Sequence, residues 1–286
     1  MIRFLFKLVL MGVILLTLNF ILLSKVNRLY LNDYVIQEIP PYTNFLFGDS
    51  HGNALDQRLQ PGGIFNFSDG SDSYIDMERK LNFLLKSIKV DTIYLSVDNH
   101  SLAQYRDRLN NHPRSIFYVH LNRNNFFELI PKRYLVYNNP TYLDLIMQSF
   151  KAIIINQHTQ NESKPKQWQD FSEIERIKAS SFRYRMQFGN QERSHKISEA
   201  LANIITLCNE NNITIIGIKF PLDGVYYDII NGKNFKADSM LRSAGFEVWD
   251  YSQFFLKQPE LFNDQDHLNQ TGAELFTTEI LDRIKY

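Results

Sequence analysis

From Phe4 to Leu23 the chain is almost pure hydrocarbon, FLFKLVLMGVILLTLNFILL. Twenty residues at helical rise extend about 30 Å, the thickness of a bilayer's apolar core. In lipid each backbone N–H and C=O must be satisfied within the segment, so such a run has one conformation open to it, the α-helix. Lys7 sits about one turn inside, where its stem lets the ammonium reach the headgroups. The rival is a cleaved signal peptide. The run is longer than a usual h-region, and Ser24, Lys25, Val26, Asn27 and Arg28 offer no A-x-A-like site. The expectation is an uncleaved single-pass anchor over residues 1–25, a stalk over 26–43 ending in Pro40-Pro41, and a body from 44 to 286. Arg3 and Lys7 favour a cytoplasmic N-terminus, while Lys25 and Arg28 argue the other way. The short N-terminal tail and the lack of a second span favour an extracytoplasmic body.

The body alternates strand and helix patterns. Asn44 to Phe47 is a short apolar run stopped by Gly48. GGIFNFS (62–68) is a second strand, Tyr74 to Ile88 an amphipathic helix, and DTIYLSV (91–97) a third strand rich in β-branched and aromatic residues. The pattern resumes with a helix at Ile197 to Cys208. A continuous apolar strand follows at ITIIGIKFP (213–221), then a helix ending at Gly245, a last strand FEVWDYS, and a closing helix. In that last helix Thr271 and Glu274 have capping-box spacing. Strand and helix in succession imply parallel pairing and an α/β fold. Residues from about 105 to 195 break the alternation. They include a helical stretch, Thr141 to Ile155, and the polar run HTQNESKPKQWQD (158–170), and read as an insertion covering one end of the sheet, as a cap or as a lid.

Charge and cysteine content exclude several classes. Lys and Arg number 31, as do Asp and Glu, and no basic stripe occurs, so nothing points to nucleic acid. The one cysteine, Cys208, rules out an intrachain disulfide framework and a Cys-based zinc site.

FLFGDSHGNAL (45–55) has two readings. As G-D-x-H-G after a strand, Asp49 and His51 are metal ligands of a metallophosphoesterase. That chemistry needs further ligand sets, and the chain offers SDGSD in the wrong order, Asp98-Asn99-His100 without a following acid, and no G-H-x-H. As G-D-S, Ser50 is a nucleophile, and then a base within hydrogen-bond reach and an orienting carboxylate are required. LFNDQDHLNQTGAELF supplies both. Asp264 and His267 stand three apart just before a helix, where one short turn holds both side chains toward one pocket. Asp266 is the other candidate acid, although a side chain adjacent to His267 tends to point elsewhere. His112, His120, His158 and His195 have no partner in sequence.

These blocks resemble the SGNH, or GDSL-type, hydrolases over nearly the whole body apart from the insertion. The resemblance rests on Gly48-Asp49-Ser50 after the first strand, Gly70 after the second, and Asp264-x-x-His267 with H-L-N-x-x-G-A at the end. It implies a flavodoxin-like three-layer sandwich with a mostly parallel sheet, a triad of Ser50, His267 and Asp264, and an oxyanion hole from Ser50, Gly70 and an asparagine. The family's third block, Gly-x-Asn-Asp, is here Ser96-Val97-Asp98-Asn99. Strict spacing puts Asp98, which cannot donate when ionised, at the donor position. Asn99 takes the role if the block has shifted by one residue; His100 or a backbone group alone are the alternatives.

The resemblance further implies a serine esterase or O-acyltransferase acting on a cell-envelope glycan through an acyl-enzyme on Ser50. No metal or cofactor is expected. The expected partners are an acyl donor, a glycan acceptor, the membrane and, for transfer, a multispanning acyl-exporting protein. Hydrolysis and transfer stay open. So does a non-catalytic glycan-binding module on the same fold. Five N-x-[ST] sequons, at Asn66, Asn99, Asn161, Asn212 and Asn269, two of them beside the expected site, favour a bacterial envelope.

Overall fold

The computed structural model describes residues 1–155 and 166–285; His158 and the sequon at Asn161 lie outside them. The chain divides into two compact units, Met1–Glu38 with His112–Lys164 and Ile39–Asn111 with Pro165–Tyr286. Numbered along the whole chain, the α-helices are α1 (Ile2–Val26), α2 (Ser50–Asn53), α3 (Tyr74–Leu84), α4 (His112–Ser115), α5 (Phe126–Tyr134), α6 (Pro140–Ile155), α7 (Glu173–Gln187), α8 (His195–Glu210), α9 (Gly224–Ile230), α10 (Ala237–Ser243) and α11 (Gln270–Lys285).

The second unit holds a five-stranded sheet of β1 (Asn44–Phe47), β2 (Ile64–Asn66), β3 (Thr92–Ser96), β4 (Thr214–Lys219) and β5 (Glu247–Asp250). The order is β2-β1-β3-β4-β5 and every pair is parallel, the flavodoxin-like arrangement. Both faces are buried. Leu46, Tyr94, Ile218 and Trp249 pack with Ala273, Phe276 and Ile280 of α11. On the other face, Phe45 and Phe47 stack against Phe67, and Gly217 admits Leu241 of α10, since a Cβ there would lie 2.9 Å from it. Burial on both sides explains why these strands read as continuous apolar runs. After β2 the chain crosses to the far side of β1, so the strand order reverses beside β1. A crevice outside the carboxyl ends of β1 and β3 follows, where doubly wound folds bind ligands.

Three expectations change. The α/β unit keeps residues through Asn111 and from Pro165, so less of the chain leaves it than the 105–195 span. The reason is backbone pairing between Leu102–Gln104 and Glu192–Ser194, with Gln104 N–H on Glu192 O at 2.8 Å and Ser194 N–H on Leu102 O at 2.8 Å. Helix α11 starts at Gln270, which puts Thr271 already inside it; the cap is Asn269, whose Oδ1 accepts from Gly272 N–H at 3.0 Å. The segment expected as a stalk is packed. Helix α1 continues through a π-helical turn, Asn27–Leu31, and Val26 and Leu31 are buried with Val136, Tyr142 and Ile146 of the first unit. The helical run Ile2–Leu31 is long and apolar enough to cross a membrane.

Candidate active site

Three loops at the carboxyl ends of the strands build the site. The first follows β1. Asp49 caps α2, its Oδ1 accepting from His51 N–H at 3.0 Å, and Ser50 is the first helical residue. Its N–H therefore has no acceptor one turn back within the helix. Gly52 is required here for packing: a Cβ would lie 2.5 Å from Ser68 Oγ. The glycine that completes the metal-like G-D-x-H-G thus serves the close approach of the β2 loop.

That loop is the second. Phe67 N–H bonds Leu46 O at 2.8 Å and Asp69 N–H bonds Gly48 O at 3.4 Å, which brings Gly70 alongside the nucleophile turn. It is fastened from beneath. Lys80 of α3, fully buried, donates to Phe67 O at 2.7 Å and pairs with Asp72 at 2.5 Å, while Asn111 Nδ2 donates to Gly70 O at 2.7 Å and Asp72 Oδ1 at 2.6 Å. Burial raises the Asp72 carboxyl to about 6 against the pull of Lys80.

The third loop carries Asp264 and His267. Phe262 and Leu268 bridge at its neck and are both buried in the core. Asp264 Oδ1 accepts from the backbone N–H of Asp266 and of His267, at 3.0 and 2.9 Å, closing a tight turn. The same carboxylate holds His267 Nδ1 at 2.8 and 2.9 Å. His267 Nε2 lies 2.7 Å from Ser50 Oγ, joining residues 217 positions apart in one line of hydrogen bonds. With Nδ1–H donated to Asp264, Nε2 is the nitrogen left to exchange a proton with the serine.

Asn99 is turned to Lys219, whose Nζ donates to Asn99 Oδ1 at 3.0 Å and pairs with Asp238 at 2.9 Å. Asp98 faces inward. It accepts from Phe220 N–H at 2.8 Å and Ser96 Oγ at 2.9 Å, and its Oδ2 lies 2.8 Å from His51 Nδ1. His100 is buried with its Nε2 3.7 Å from Asp49 Oδ2, and burial pushes its imidazole below the usual range.

Asp266, the alternative acid of the sequence reading, and residues that the reading did not name prove central. Asp266 points inward and is buried. Its Oδ2 accepts from Arg183 Nε at 2.9 Å and Gln187 Nε2 at 3.1 Å, both from α7, and lies 3.6 Å from His51 Nε2; its Oδ1 lies 3.3 Å from His267 Nδ1. Asp266 is thus a carboxylate shared by two imidazoles. Arg106, also buried, sits 3.3 Å from Asp49 Oδ2 and donates to Asp72 O. No spacing rule finds these partners, because their side chains arrive from the loop after β3 and from α7. The legible signals were His51, adjacent to the serine, and Asp266, adjacent to the histidine.

The network fixes the charges. Burial works against ionising Asp49, but His51, a hydrogen bond from His100, and Arg106 hold its carboxyl well below the usual range. Burial likewise opposes a charge on His51, but Asp49 and Asp98 raise it well above its ordinary value. For His267, burial lowers the imidazole while hydrogen bonds to Asp264 and Asp266 raise it, to about 9 on balance. Two close groups of potential metal ligands occur among the described residues: Asp49, His51 and Asp98, which the metal reading names, and His51, Asp266 and His267, of which it names only His51. Both groups depend on His51, whose Nδ1 is already within hydrogen-bond distance of Asp98.

No family model matches the sequence, and no curated protein matches it. Among solved structures, a lipolytic protein of the G-D-S-L family from Desulfitobacterium hafniense is similar at TM-score 0.41 and 10% identity, over 85% of this chain and 99% of that one. An acylhydrolase from Bacteroides fragilis is similar at TM-score 0.38 and 11% identity, over 89% and 92%. A GDSL-like lipase from Bacteroides thetaiotaomicron gives 0.39 and 9%, over 92% and 97%. Likeness at this level adds no weight to the site. The SGNH resemblance stands on this chain's own features: the strand order, and a serine, histidine and carboxylate joined in the family's order along the chain.

Proposed function

We propose that the chain is a membrane-tethered serine hydrolase of the SGNH type that works through an acyl-enzyme on Ser50. The observation that carries this reading is the unbroken line from Ser50 Oγ through His267 to Asp264. Neutral His267 accepts the Ser50 proton at Nε2 as Oγ attacks an ester or thioester carbonyl. Asp264 keeps the other ring proton on Nδ1 and balances the imidazolium that forms. The N–H groups of Ser50 and Gly70 are the proposed donors to the oxyanion. Collapse of the tetrahedral adduct expels the alcohol or thiol, which takes the proton from His267. Water or a sugar hydroxyl then attacks the acyl group with His267 again as base, and Ser50 is restored.

A glycan acceptor is the reading favoured for the second half-reaction. A cavity of about 740 Å³ lies between Gln104–Leu109 and Met186–Gln191, lined by the amides of Gln104, Asn190 and Gln191 with Tyr105 and Arg108. Amide side chains beside an aromatic ring suit a polyhydroxylated ligand. The Tyr105 ring stacks on His100, which neighbours Asp49 and so ties the cavity to the nucleophile loop. The apolar helix α1 supports tethering to a membrane.

The test uses the full chain in detergent with an activated aryl acetate, followed by mass analysis of the trapped protein. Turnover, an acetyl group on Ser50, and loss of both in Ser50→Ala are expected. A chain that binds glycans without turnover or acylation is a recognition module. Phosphoester cleavage that a chelator abolishes and Ser50→Ala retains belongs to the metal chemistry instead.

A further inference from the structure

Asn19 stands out in α1 because it is a buried polar residue in an apolar helix. Its Nδ2 donates to Tyr134 O at 2.8 Å and its Oδ1 accepts from Val136 N–H at 2.9 Å. The amide therefore satisfies two backbone groups where α5 ends and the chain turns toward α6. Asn19 lies four residues before Leu23, the end of the apolar run, which is about 6 Å along the helix axis. If the run fills the bilayer, that depth is inside the hydrocarbon boundary. Irregular backbone there is tolerated only when protein groups satisfy it, which is what Asn19 does.

The contacts continue outward along α1. Leu22, Leu23 and Val26 pack with Val136, Tyr142, Leu145 and Ile146, and Lys25 Nζ lies 4.7 Å from the centre of the Phe150 ring. The inner face of α6 is thereby occupied. Its outer face carries Leu143 and Met147, spaced i, i+4 and both exposed, and Tyr134, Leu135 and Tyr137 are exposed beside it. A stripe of this size on a water-facing helix is costly, and aromatic residues at this level match the belt at a membrane surface.

We infer that residues 134–150 form a collar seated in the phospholipid interface around the exit of α1, with Tyr137, Leu143 and Met147 in contact with lipid. The occupant is lipid because the patch is continuous with the face of α1 that the bilayer covers, at a depth fixed by Asn19. The inference rests on α1 being a membrane anchor and adds that the anchor is not a lone helix.

The full chain carrying Tyr137→Trp, and separately Met147→Trp, is reconstituted in phosphatidylethanolamine–phosphatidylglycerol vesicles. Both positions are exposed, so neither change disturbs the core, and the native Trp168 and Trp249 are buried and give a constant background. Acyl chains brominated near the headgroup are expected to quench at least half of the added emission, with aqueous iodide quenching little. The variant Asn19→Leu in the Tyr137→Trp background reduces the lipid quenching. Vesicle-associated protein whose added tryptophan is quenched by iodide and not by bromolipid overturns the collar and leaves the anchor standing. Protein that does not float with vesicles at all, or that alkaline carbonate extracts, overturns the anchor and the collar together.

Discussion

His267 holds the proton that sets the rate in the proposed mechanism, and its surroundings predict the pH profile. With the imidazole at about 9, only about 1% of the free protein carries the neutral base at pH 7, and about half does at pH 9. The value of kcat/KM for an aryl acetate is therefore expected to climb about tenfold per pH unit between 6 and 8 and to level off above about 9. The gain from pH 7 to pH 9 is roughly fiftyfold. Asp264 and Asp266 together raise His267 against burial and the charge on His51. Asp266→Asn removes the second carboxylate, 3.3 Å from Nδ1. Arg183 and Gln187 already draw on that carboxylate, so the acid limb moves down by about one to two pH units, each worth about 1.4 kcal/mol. The variant is then faster than the parent near pH 7 relative to its own plateau. Initial rates from pH 5.5 to 10, corrected for spontaneous hydrolysis, provide the measurement. A parent profile already flat at pH 6.5, or an Asp266→Asn limb that stays put or moves upward, refutes the reasoning.

Stability runs the opposite way with pH. A histidine raised in the folded state adds stability fully present below its unfolded value near 6.5, and that stability disappears as pH rises through about 9, a loss of about 3 kcal/mol. Urea denaturation across this range should show the slope, and His267→Gln should flatten it. Asn99→Ala should leave kcat within about threefold if Ser50 and Gly70 are the oxyanion donors; a loss of about a hundredfold would make Asn99 Nδ2, whose Oδ1 accepts from Lys219, a further donor. Lys80→Met removes the buried ammonium that pairs with Asp72 and donates to Phe67 O, so a loss of about 3–5 kcal/mol in the same denaturation assay is expected. Gly52→Ala should lower kcat and stability together, since its Cβ drives Ser68 and the Gly70 loop away from the serine turn.

Much of the architecture is local in origin, and the sequence alone determined it. Strand β1 is the short apolar run from Asn44 to Phe47 stopped by Gly48, as read. The near-continuous apolar and β-branched runs that predicted β3 and β4 arise from burial on both faces of a parallel sheet. The Asp264–His267 spacing sufficed to predict a shared turn, because three residues is the reach of one carboxylate to two backbone N–H groups and a ring. Helix α1 follows from an unbroken apolar run that is long enough to cross a membrane as a helix.

What tertiary structure decided is the partner of each polar side chain. Asp266 sits next to His267, and sequence spacing pointed it elsewhere. Arg183 and Gln187 on α7 turn it inward, and a carboxylate can be buried only where cations and donors meet it. His51, read as a metal ligand in one of two ways, takes a place between Asp98 and Asp266, and Asn99 Oδ1 accepts from Lys219. Asn19, a polar residue in an apolar run, meets Tyr134 and Val136 across 115 and 117 residues. A sequence states which groups must find partners. Only the packed chain, in which an unpaired buried charge or amide is costly, determines which partners they are.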